Sequence, residues 1–197
     1  SRVEIRDLVK AWVALSAAFA ILLGGSVFSA TFIIFFMISG LTVGVGFIFH
    51  ELAHKIVAQK YGCFAEFRSF DSMLVLAIIM SFLGFLFAAP GAVMIHGPVG
   101  KRRNGMISVA GPIANLVIAI VFASLFFLVP PSGGLALLAQ YGFMINTWLA
   151  LFNMIPFGQF DGSKILRWNK VVYGVVVAVC ILFLYGNIII QEVLTQV

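Results

Sequence analysis

Long apolar runs constrain the fold of this chain more than any other feature. Six of them follow one another, at about 8–27, 31–59, 72–89, 107–129, 135–155 and 171–191. A helix needs about 20 apolar residues to cross a bilayer, so five of the runs are long enough and 72–89 is marginal. Only 10% of the residues are charged, whereas soluble domains carry about 25%. We therefore predict an all-α polytopic membrane protein with about six apolar helices, five of them clear crossings.

Length and charge limit what else the chain can hold. Its 197 residues leave room for one membrane-embedded domain, which we expect to span 1–197 with its core at about 40–165. The net charge is +5, but the basic residues flank the apolar runs, which is typical of cytoplasmic helix ends. We expect the chain to contact the lipid bilayer and not nucleic acid. The first run lacks a cleavage-site pattern, which indicates a retained anchor and not a signal peptide.

The second apolar run contains the motif H-E-L-A-H at 50–54. On a helix, His50 and His54 share one face, so both imidazoles can reach one metal ion. Glu51 would then stand beside the metal-bound water as a general base. Ionisable groups in an apolar segment are costly, which favours a functional site. The alternative is a pair of helix histidines that are hydrogen-bonded to their neighbours.

A second group of polar residues follows the fifth run, in the segment N-M-I-P-F-G-Q-F-D-G at 153–162. Asp161 can complete a site of two histidines and one carboxylate, which leaves a fourth position for water. Its alternative role is to cap a helix that starts near Ser163. Asn153 can hydrogen-bond a substrate carbonyl or a developing oxyanion, or it can join helices in the membrane.

The donor set predicts which metal is bound. Imidazole and carboxylate ligands in a four-ligand site favour zinc, so we expect one Zn²⁺ per chain. His96 lies in an extended segment and stays outside the predicted ligand set. The motif A-G-P-I-A-N at 110–115 is rich in small residues, which favours close packing against the histidine helix.

The predicted site restricts the topology. The basic residues at the start of the chain place the N-terminus in the cytoplasm, and we expect the last helix to leave the C-terminus outside. The chain must return before Lys101, because Asp161 otherwise ends on the wrong face of the membrane. Residues 62–70 and 91–100 have the pattern of extended segments. We therefore predict a small β element there. Either helix 72–89 crosses the membrane and the extended segment 91–100 returns, or the chain makes a shallow re-entrant excursion.

The three motifs in this order resemble those of the site-2 protease family of intramembrane metalloproteases. The resemblance covers about half of the chain, from roughly 40 to 165. It implies zinc bound by His50, His54 and Asp161, Glu51 as the catalytic acid and base, and Asn153 assisting the substrate or transition state. It also implies that the substrate is a transmembrane segment of another protein, and the composition suggests a prokaryotic cytoplasmic membrane.

Two other functions fit some of these features. A membrane protein that binds or transports metal without proteolysis would also place histidines and an aspartate at membrane depth. An inactive relative could serve as a scaffold. The sequence leaves the substrate, the cleavage site and the oligomeric state open.

Overall fold

The structure is a computed structural model that describes residues 1–24, 27–86, 90–130 and 132–195. Its helices and strands are α1 (Arg2–Gly24), α2 (Ala30–Ser39), a π-helical turn (Gly40–Gly44), α3 (Val45–Lys60), β1 (Phe64–Ser69), α4 (Asp71–Phe82), β2 (Gly91–His96), α5 (Lys101–Leu128), α6 (Gly134–Asn153), α7 (Asp161–Trp168) and α8 (Lys170–Thr195).

Five helical segments in the described residues are long and apolar enough to cross a membrane. They are Arg2–Gly24, Ala30–Lys60, Lys101–Leu128, Gly134–Asn153 and Lys170–Ile188. The second segment runs through α2, the π-helical turn and α3 without a break. The chain is therefore a helical, multi-pass membrane protein, as the apolar runs predicted, and its described residues also form a small two-stranded sheet.

The marginal run at 72–89 forms only a short helix. The 12 residues of α4 extend about 18 Å at about 1.5 Å per residue, which is less than the roughly 30 Å of a hydrocarbon core. Gly84 ends the helix with a φ of +84°, and the Phe85 N–H returns to the Met80 carbonyl, as in a glycine C-cap. This helix is too short to cross, which agrees with a re-entrant excursion; residues 87–89 lie outside the described part.

The predicted β element is present as an antiparallel pair of strands. Its register runs from Phe64 opposite His96 to Ser69 opposite Gly91. Both strands are shorter than the predicted 62–70 and 91–100. The return of the chain before Lys101 is also confirmed, because the Arg103 guanidinium lies 5.5 Å from the ring centre of Tyr61, just beyond α3.

Helix α1 holds the outer edge of the sheet. Glu4 and Asp7 are each only 4% exposed. The Glu4 carboxylate accepts the Phe67 N–H at 3.1 Å, and the Asp7 carboxylate accepts the Ser69 N–H at 3.4 Å. Lys55 of α3 donates to both Glu4 oxygens, at 2.8 and 2.7 Å. The first helix, the sheet and the histidine helix are therefore fixed to one another at one end of the bundle.

Candidate metal centre

Three buried side chains from two distant parts of the chain converge on one point. The Nε2 atoms of His50 and His54 are 3.0 Å apart. The Oδ2 atom of Asp161 lies 3.2 Å from the first and 3.0 Å from the second. Within the described residues, these three form a group whose ligand atoms all lie within 4.8 Å of one another. The sequence-predicted ligand set is thus brought together.

The loop after α6 delivers Asp161 to the histidines. Helix α6 ends at Asn153, shortly before Pro156, and proline cannot continue a helix. Gly162 packs directly on the backbone of Met154, where a Cβ would collide with the carbonyl group. Asp161 is the first residue of α7, and its carboxylate faces the imidazoles. The alternative role as a helix cap is not what the geometry shows.

Both histidines are oriented by hydrogen bonds from their other ring nitrogen. Nδ1 of His50 lies 2.6 Å from the Asn115 Oδ1, and Nδ1 of His54 lies 2.8 Å from the Ile107 carbonyl oxygen. Because both partners are acceptors, each Nδ1 carries the hydrogen and each Nε2 lone pair points into the site. This is how metal-binding histidines are commonly held.

The role of Asn115 goes beyond the sequence interpretation, which assigned its motif to helix packing. The side chain is fully buried and bonds directly to a predicted ligand. The signal was an amide in the middle of an apolar run, which is costly unless it is hydrogen-bonded. The sequence could not show which partner it would find.

The residues present fit a zinc ion. In a tetrahedral zinc site with nitrogen and oxygen ligands, neighbouring donors lie about 3.3 Å apart, close to the separations seen here. Gly111 leaves space beside them, since a Cβ there would lie 2.5 Å from the His54 Nε2 and 2.6 Å from the His50 Nε2. Two lone pairs and a carboxylate would repel one another without a cation between them.

Asp161 is held as a carboxylate. Burial raises the pKa of the carboxyl, whereas positive charge on the facing His54 and His50 rings, which they carry where no metal is bound, holds the pKa well below its ordinary value. Lys164 also approaches the second carboxylate oxygen, with Nζ 3.3 Å from Oδ1. A metal ligand must be deprotonated, and Asp161 meets that condition.

Glu51 lies next to the histidines and binds the sheet. Its side chain is buried, and its Oε2 accepts the Val93 N–H at 3.0 Å. In an antiparallel pair, backbone groups point alternately towards the partner strand and away from it. Because the Val93 N–H points to Glu51, the backbone groups of Gly91 and Ile95 also point away from β1. This edge of β2 therefore faces the site.

A cavity of about 670 Å³ connects these groups. Its lining includes the three metal-site residues and Glu51, and it is otherwise mainly apolar, with Phe19, Leu23, Met73 and Trp148 among its walls. Asn153 also lines the cavity and donates to the Leu149 carbonyl at 2.9 Å. His96 lies apart from the metal group, at the end of β2 opposite Phe64.

Several curated proteins resemble the chain. A Methanocaldococcus jannaschii protein named as a candidate zinc metalloprotease, MJ0611, is 44% identical over 146 residues, which cover 73% of this chain and 76% of that protein. A second protein of that organism, zinc metalloprotease MJ0392, is 30% identical over 68% of this chain and 34% of its own length. YwhC of Bacillus subtilis, also named as a candidate zinc metalloprotease, is 30% identical over 64% of this chain and 66% of its own length. No family model and no solved structure matches the chain.

Proposed function

The chain belongs to the zinc metalloprotease family of these relatives, and we propose that it is an intramembrane endopeptidase of the site-2 type. Its cofactor is Zn²⁺ and its substrate is a protein. We further propose that the hydrolysed peptide bonds lie in or near transmembrane segments of other membrane proteins. We take 1–197 as one metalloprotease domain with its core at about 40–165, in the cytoplasmic membrane of a prokaryote.

One observation carries this proposal. The H-E-x-x-H residues lie inside a membrane-length helix, Ala30–Lys60, and His50 and His54 are about 15 and 9 Å from its end at about 1.5 Å per residue. Their cavity has mainly apolar walls from α1, α4 and α6. A site at this depth favours a substrate that is itself in the membrane.

The chain supplies each group that the hydrolysis needs. His50, His54 and Asp161 would hold the zinc ion. When bound, zinc lowers the pKa of a water molecule and polarises the peptide carbonyl. The Glu51 carboxylate takes the proton from the attacking water and returns it to the leaving nitrogen. Asn153 lines the same cavity, and its amide would donate a hydrogen bond to the developing oxyanion.

The free edge of β2 would hold the substrate. A helical peptide bond is shielded, so the substrate must unwind before it is cut. The unwound stretch can then add to β2 as a strand, with main-chain hydrogen bonds that do not depend on side chains. A strand that pairs there takes the Val93 N–H away from Glu51, and the carboxylate becomes free to accept a proton.

The test compares purified wild type with Glu51→Gln in detergent. Zinc content is measured together with cleavage of a transmembrane test substrate. We expect stoichiometric zinc in both proteins and cleavage only in the wild type, because glutamine cannot accept the proton. Glu66→Gln in β1 is the matched control and should cleave like the wild type. Full cleavage by Glu51→Gln would rule out the mechanism, and zinc without cleavage in any variant would favour a metal-transport or scaffold function.

A further inference from the structure

A line of three hydrogen-bonded groups leads from the metal centre into the apolar interior. His50 of α3 donates from Nδ1 to the Asn115 Oδ1 of α5 at 2.6 Å. The Asn115 Nδ2 donates in turn to the Asn146 Oδ1 of α6 at 3.2 Å. Both asparagines have no exposed surface. Buried amides in an apolar bundle are costly unless every polar atom is paired.

The orientation of both asparagine amides is fixed by their hydrogen-bond partners. The Asn115 Nδ2 also donates to the Gly46 carbonyl at 3.1 Å, so two acceptors hold the amide nitrogen and the oxygen must face His50. The Asn146 Nδ2 donates to the Gly142 carbonyl at 2.9 Å, which leaves its oxygen for Asn115. Reversing either amide would place donor against donor or acceptor against acceptor.

We propose that Asn146 is a positioning residue for the zinc site, acting on His50 through Asn115. It holds Asn115 with the oxygen towards the imidazole. That oxygen requires the hydrogen to be on Nδ1 of His50, and the Nε2 lone pair is then available to the metal. The inference rests on the zinc site proposed above. It assigns a metal-binding effect to a residue that lies two hydrogen bonds away from the ligand.

The experiment measures Zn²⁺ affinity by competition with a chromophoric chelator, and the visible absorption spectrum of the Co²⁺-substituted protein. Loss of outer-shell partners typically weakens metal binding by about 10–100-fold, so we expect Asn146→Leu to bind Zn²⁺ at least about tenfold more weakly, with an altered Co²⁺ spectrum. Asn146→Asp should bind within about threefold of the wild type. A buried aspartic acid takes up a proton and then keeps an acceptor for Asn115 and an O–H donor for the Gly142 carbonyl, the two bonds that matter here.

Two further proteins separate positioning from general destabilisation. Thr147→Val removes a neighbouring buried hydroxyl that donates to the Phe143 carbonyl of its own helix at 2.8 Å, and should keep full affinity. The double variant Asn115→Leu/Asn146→Leu should bind no more weakly than Asn115→Leu alone, because Asn146 acts through Asn115.

The outcomes are distinguishable. Wild-type affinity and spectrum in Asn146→Leu would overturn the inference and leave the zinc site standing. The inference would also be overturned if the double variant lost Zn²⁺ affinity by the product of the two single-variant losses. A wild-type protein that binds neither metal would overturn both the inference and the proposed site. If Asn146→Leu does not fold, Asn146→Ala takes its place: a loss of affinity that Asn146→Asp and Thr147→Val do not show supports the inference, and wild-type affinity overturns it.

Discussion

Replacing Gly111 by alanine should remove the metal while leaving the protein folded. The added Cβ would lie 2.5 Å from the His54 Nε2 and 2.6 Å from the Nε2 and Cε1 of His50. Favourable contacts between heavy atoms lie at about 3.5–4.0 Å, so the rings must retreat by about 1 Å. Hydrogen bonds from the opposite ring nitrogens, at 2.6 and 2.8 Å, oppose that movement.

The effect on zinc binding follows from this displacement. Metal–ligand distances tolerate changes of only about 0.2 Å. Disturbing outer-shell residues alone costs about 10–100-fold in metal affinity, so moving two ligands should cost at least about 100-fold. The folded state changes less, because alanine favours the helix by about 1 kcal/mol while overpacking costs about 1–3 kcal/mol.

The assay is zinc stoichiometry by elemental analysis, with thermal unfolding of the same detergent-purified samples. Gly174→Ala is the matched control, since its Cβ on α8 would meet nothing within 4 Å. We expect the control to keep its zinc and gain up to about 1 kcal/mol in the free energy of unfolding. If Gly111→Ala binds zinc as tightly as the wild type, the metal does not lie between these donors and the reasoning is refuted.

Two other variants test neighbouring parts of the structure. Lys55→Met removes the amine that contacts both oxygens of the buried Glu4. Because the Lys55 side chain is 21% exposed, solvent weakens the pair, and we expect a loss of about 2 kcal/mol in the free energy of unfolding. A loss no larger than that of Lys60→Met, at an exposed lysine, would contradict this. Asn153→Ala should lower kcat by about 100-fold with zinc content unchanged if its amide binds the oxyanion. An unchanged kcat would leave Asn153 with its bond to the Leu149 carbonyl and a role in helix packing.

The sequence predicted the parts of this protein that one local rule controls. Helix periodicity placed His50 and His54 on one face, and the cost of charge in an apolar run marked them as functional. Hydropathy found the five crossings but missed where some begin. Helix α5 starts at Lys101, ahead of the apolar run, because lysine and arginine have high helix propensity but are not detected by an apolar window.

Other features depend on how helices rotate against one another. Asn115 faces His50 only because α5 packs on α3 at one particular angle, and no local pattern encodes that angle. The length of α4 was open because an apolar run of 72–89 suits a crossing helix or a shorter buried one. The signal was Gly84, whose positive φ ends the helix, but a single glycine in an apolar run has several readings.

The two edges of the small sheet explain why α1 carries buried acids. A two-stranded sheet is marginal by itself, and both of its edges offer unpaired backbone groups. Glu4 and Asp7 accept two of the outward N–H groups of β1, those of Phe67 and Ser69, so that α1 obstructs the addition of a strand at that edge. The edge of β2 is left facing Glu51 and the cavity. If a substrate strand adds to this sheet as proposed, α1 leaves β2 as the edge that can receive it, and the first helix then has a role in substrate binding as well as in the membrane.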